Sequence, residues 1–143
     1  MNPTLAHRWK SAAPYLLSLL RIVAAFVFAP SGTIKLFGWP MAMPGGITIE
    51  PFSQMWIGAV LEIVGGSLIL LGLFTRPAAF VLAGEMAVAY LQFHAPNSFW
   101  PVVNQGVPAV MFCFVWLYLS SAGPGPLSLD AWIARRGEGG ATV

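Results

Sequence analysis

Charge is scarce in this sequence. Lys, Arg, Asp and Glu together make up 8% of its 143 residues, against roughly 25% in a soluble domain. The net charge of +2 is scattered along the chain and forms no basic stripe, so nucleic-acid binding is excluded as a reading. Cysteine is almost absent as well. Cys113 alone cannot form an internal disulfide, a CxxC redox pair or a thiolate metal cage. In the apolar run VMFCFVWLYL it reads as a small packing residue. There is no phosphate-cradling glycine loop, no metal-ligand cluster and no serine with a base at readable spacing, so nothing points to nucleophilic or metal-assisted catalysis.

What the sequence has instead is apolar side chain, 57% of the residues, with a mean hydropathy of +0.75. A water-soluble fold of this length could not hide it. A membrane span needs about 20 mostly apolar residues, and four stretches qualify: about Pro14 to Phe37, Gln54 to Phe74, Pro77 to His94 and about Trp100 to Ser121. Arg8 and Lys10 before the first run resemble the start of a signal peptide, but Arg21 interrupts the apolar core such a peptide requires, which favours a retained helix. The expected fold class is therefore all-α: an integral membrane bundle of four transmembrane helices, one domain over residues 1–143, with a short C-terminal amphipathic helix.

The connections agree with that count. Gly38 to Ser53, with Pro40, Pro44, Gly45, Gly46 and Pro51, cannot continue a helix and is expected as an exposed loop or a re-entrant segment. Thr75, Arg76 and Pro77 predict a tight antiparallel hairpin between the second and third helices. Ala95 to Phe99 predicts another short turn. Beyond Pro126, Ser128 is placed to cap a helix whose Leu129, Trp132 and Ile133 share a face, with Arg135 and Arg136 following, as in a segment lying on a membrane surface. Four spans put Arg8, Lys10, Arg76, Arg135 and Arg136 on one side, which the positive-inside rule makes cytoplasmic, together with both termini. Glu50, Trp39, Trp56, Phe99 and Trp100 fall on the other side, where aromatics suit an interfacial belt and Lys35 can snorkel. His7 and His94 then lie at opposite faces, which argues against a haem held by paired histidines.

Charged residues inside spans each cost at least a few kcal/mol unless paired, hydrated or functional. Arg21 and Glu85 lie at matching depths of roughly 10 and 12 Å when counted from the cytoplasmic ends of their runs, which predicts an intramembrane ion pair. That pair reads either as a device fixing helix register or as a substrate or proton site. Glu62, flanked by Gly58 and by Gly65 and Gly66, lies on a face where a neighbouring helix can come close. With Lys35, His94, Asn104 and Gln105, and with Trp39 or Trp100 near by, it makes the candidate ligand site of the outer half. Helix packing is the competing reading of the same residues.

The stretches LLRIVAAFVFAPSGTIKLFGWP, GAVLEIVGGSLILLGLFTRPAAFVLAGEMAVAY, FHAPNSFWPVVNQG and AGPGPLSLDAW, in this order and spacing, resemble the DoxX family of small bacterial membrane proteins over nearly the whole chain. The resemblance implies a four-helix bundle in the inner membrane, and its polar positions fall on Arg21, Lys35, Glu62 and His94. It further implies a non-catalytic subunit or accessory protein of a quinone-linked redox system, with no intrinsic cofactor, a bound quinone or lipid, and the bilayer and a redox enzyme or other membrane protein as partners. A membrane assembly factor and a small-solute transporter are the alternatives. The chain departs from many relatives at Val107 and Pro108, where these carry a glutamate after Asn-x-Gly, so chemistry at that glutamate is not implied here.

Overall fold

A computed structural model describes residues 3–139, and among these there are five α-helices and no strand. Helix α1 spans Pro3–Phe37, α2 Gln54–Leu71, α3 Thr75–Ala89, α4 Val107–Ala122 and α5 Leu129–Gly139. Helix α1 lies along α2 and α3 along α4, while contacts of α2 with α3 and of α1 with α4 close the four into a bundle. The stretch His7–Phe37 of α1 (mean hydropathy 1.9) and α2 (1.7) are each long and apolar enough to cross a membrane; α4 is apolar but shorter. Large apolar side chains such as Phe26, Phe80 and Phe114 point outward, a surface that suits lipid and not water.

The core is small and aromatic. Phe28 of α1 meets Phe112 and Trp116 of α4 with ring centroids 5.0 and 5.2 Å apart. Small residues bring the other helices together. A Cβ added to Gly32 of α1 would stand 2.5 Å from the carbonyl oxygen of Ala59, so α1 and α2 touch backbone to backbone at this point. At Gly65 of α2 the Leu82 side chain of α3 fills the space that a Cβ would take.

Helix ends differ from the sequence expectation where polar residues still favour helix. Helix α1 begins at Pro3 and not near Pro14: Pro14 lies inside it, with its carbonyl accepting a bond from the Ser18 hydroxyl. The fourth helix begins at Val107 and not near Trp100, because Pro108 occupies its first turn and residues 95–106 form turns. Ser53 caps α2 by accepting from the Trp56 amide, and Ser128 caps α5 by accepting from the Ala131 amide. The segment between α1 and α2 is a loop with a single 3₁₀ turn, Pro44–Gly46.

At its outer end α3 widens into one π-helical turn, Tyr90–His94, closed by the bond from the Ala95 amide to the Tyr90 carbonyl. Such turns insert an extra residue and rotate the side chains that follow. At the other end the chain folds back on itself. The Asp130 carboxylate accepts from the amides of Phe74 and Thr75, 2.9 and 3.0 Å away, and so caps α3 from the start of α5.

Candidate functional site

Arg21 and Glu85 do not pair. The Arg21 side chain is 1% exposed, and its guanidinium is spent on carbonyl oxygens: Pro124 at 2.9 Å, Leu70 at 2.6 Å, Leu127 at 2.5 Å, and Ile69. Ile69 and Leu70 belong to the last turn of α2, whose final carbonyls have no partner within the helix, and a cation there also meets the negative end of the helix dipole. Glu85 stands at the opposite end of α2, where its Oε1 would lie 3.1 Å from a Cβ on Gly58. Some eleven residues of α2 separate the two levels, about 17 Å at 1.5 Å per residue. Matching depths were counted from Pro14 and Pro77, but α1 begins at Pro3, about three turns before Pro14, and Arg21 stands level with the end of α2 and not with Glu85.

The half of the bundle away from Arg21 gathers the other charges. Lys35 Nζ donates to Glu62 Oε1 at 2.6 Å, the only ion pair among the described residues, and the Ser31 hydroxyl donates to the same oxygen at 3.2 Å. The Glu62 side chain is 2% exposed, and its Oε2 has no hydrogen-bond partner. Glu85 Oε2 is likewise buried without one. Lys35, Glu62, Glu85 and His94 line one cavity of about 430 Å³ between α2 and α3, whose remaining wall is largely apolar, from Leu61 to Val88 and Phe93. The π turn brings Phe93 and His94 to it. At its rim the side-chain amides of Gln54 and Gln92 bond to each other across the two helices. Lys35 also borders a second, outer cavity of about 660 Å³ under the loop after α1, with Trp56.

Four residues of the sequence-based set lie elsewhere. Asn104 donates to the Ser98 carbonyl and accepts from the Gly106 amide, so it holds the loop before α4 together and does not face the cavity. Trp39 and Trp100 are each 66% exposed and do not line it. Gln105 is also exposed, with a left-handed backbone. The His94 Nδ1 lies 3.0 Å from the Asn104 carbonyl. A carbonyl only accepts, so Nδ1 carries the proton in this contact, and in that tautomer Nε2 is the acceptor. Sequence reasoning missed Glu85 as a member of this cluster: pairing Gln54–Phe74 with Pro77–His94 about the turn sets Glu85 opposite Gly66, and only the fold shows it beside Gly58.

Helices with an outward apolar surface and buried polar clusters at each end define a small helical membrane protein. Its family follows from comparison with known proteins: the model of the DoxX family matches residues 16–95, more than half the chain, and the protein belongs to that family. It is 42% identical over 120 residues to an uncharacterised protein of Haemophilus influenzae, covering 82% of this chain and 90% of the relative. It is 28% identical over 148 residues to the inner membrane protein YphA of Escherichia coli, covering 91% and 99%. An uncharacterised membrane protein of Mycobacterium tuberculosis is 31% identical over 133 residues, 82% and 80% of the two chains. No solved structure gives a significant match.

Proposed function

We propose that the protein is a non-catalytic, four-span accessory protein of the inner membrane that holds a bilayer-soluble amphiphile, a quinone or a lipid, in the cavity between α2 and α3. The observation that carries this reading is the cavity itself: about 430 Å³ of mostly apolar space with a buried carboxylate oxygen left unpartnered on its wall. Packing alone would have closed α2 and α3 around Glu62, as Leu82 closes on Gly65. A few convergent polar groups in an apolar cleft are the usual make-up of a small-molecule site.

Span lengths support the membrane placement. Helix α3 with its π turn covers residues 75–94, roughly 30 Å, which matches the hydrocarbon thickness of a bilayer. The five basic residues outside the spans support a placement with both termini in the cytoplasm and the cavity in the outer half.

Purification in nanodiscs followed by mass spectrometry of bound lipids and proteins tests this. A quinone or lipid retained by the wild type and lost from Glu62→Gln is the expected result. An empty wild-type cavity with a co-purifying client protein would replace the reading by that of an assembly factor. A reporter at the C-terminus that is active in the periplasm would overturn the topology.

A further inference from the structure

The polar wall of the cavity is unbalanced in a way that restricts its ligand. Two carboxyl groups, Glu62 and Glu85, line the same cavity as one ammonium, Lys35. Lys35 is already engaged with Glu62 Oε1 at 2.6 Å. What remains unused is acceptors: Glu62 Oε2 and Glu85 Oε2, both buried and without partners. His94 adds a third on the same wall, since its Nδ1 donates to Asn104 and Nε2 is left to accept. A buried acceptor left unpaired costs more than a hydrogen bond returns, so a ligand that brings donors is favoured over one that brings only acceptors. A donor that also carries positive charge balances the second carboxyl group.

We propose that the cavity binds an amphiphile whose polar end is a protonated primary amine, seated between Glu62 and Glu85 with its apolar body along the α2–α3 groove. This rests on the reading of the cavity as a ligand site and names the chemical class it takes. An ammonium has three donors, enough to serve Glu62 Oε2, Glu85 Oε2 and His94 Nε2. The carbonyl oxygens of a quinone only accept and find one donor there, Lys35, which is already paired. The apolar lining from Leu61 to Val88 accommodates an alkyl chain.

The test uses the full-length protein in phosphatidylcholine nanodiscs and three probes: dodecylamine, dodecanol of the same chain length, and decylubiquinone. Retention is read by native mass spectrometry. Dodecylamine is expected to be retained at least ten-fold more than dodecanol, and Glu62→Gln and Glu85→Gln are each expected to lower that retention about ten-fold. Glu85 makes no hydrogen bond that the bundle needs, so its variant keeps the test sound if Glu62→Gln fails to fold. If decylubiquinone or dodecanol binds as well as the amine, and binding is indifferent to Glu85→Gln, the amine assignment is overturned while the cavity remains a ligand site. If none of the three is retained by the folded wild type, the ligand-site reading falls with it.

Discussion

The two ends of the bundle bury charge in opposite ways. At the α2 C-terminus, Arg21 is surrounded by carbonyl oxygens from α2 and from the segment leading to α5, and its guanidinium is used up. At the α2 N-terminal half, Lys35, Glu62 and Glu85 leave two carboxylate oxygens idle beside an open space. A satisfied cluster has nothing to offer a ligand and everything to offer the fold; an unsatisfied one in an otherwise well-packed bundle is the better candidate for function. Each sets a cation near one face of α2, Arg21 buried and Lys35 partly exposed, and the fate of the acceptors tells the two ends apart.

The contrast makes ordered predictions. Arg21→Met should be the most damaging, because several carbonyls at about 1–3 kcal/mol each lose their donor. A loss of at least about 3 kcal/mol, read from unfolding in detergent by circular dichroism, is expected, and a loss below about 1 kcal/mol would show that the end of α2 does not depend on this residue. Lys35→Met should cost less, about 2 kcal/mol, since water reaches a quarter of that side chain and screens the pair. Adding Glu62→Leu to Lys35→Met should restore stability to within about 1 kcal/mol of wild type, as apolar replacement of a buried pair is often neutral, yet leave the cavity unable to retain ligand. A double variant that stays as unstable as the single one would mean that the pair is structural and the two ends are alike. Asp130→Ala removes the cap of α3 and should cost about 1 kcal/mol by the same assay. The smallest effects belong to Trp39→Phe and Trp100→Phe, each within about 0.5 kcal/mol and without effect on retention, because both side chains are exposed.

The sequence was most legible where a local rule acts alone. Ser128 caps α5 as expected, since a cap needs only its immediate neighbours, and α2 and α3 are joined by a tight turn as expected, although it is made by Gly72 to Phe74 and Thr75 already opens α3. Lys35 and Glu62 were also brought into one group by depth. What failed required knowing how the helices are staggered. Arg21 and Glu85 each looked buried and in need of an opposite charge, but a guanidinium can be satisfied by carbonyls that no residue letter reveals. The fragments GLFTRP and SLDAW are likewise uninformative until the fold sets Asp130 against Phe74 and Thr75.

Gly32 sits one helical turn from Lys35, at the point where α1 rests on the Ala59 carbonyl. Its missing side chain works as a spacer gauge for the ion pair. Putting a methyl group there would wedge α1 away from α2, and a contact of 2.6 Å between a lysine and a glutamate has no slack to follow. Gly32→Ala should therefore unlatch Lys35 without altering any charge, a mechanical route to the same open cavity that Lys35→Met reaches chemically.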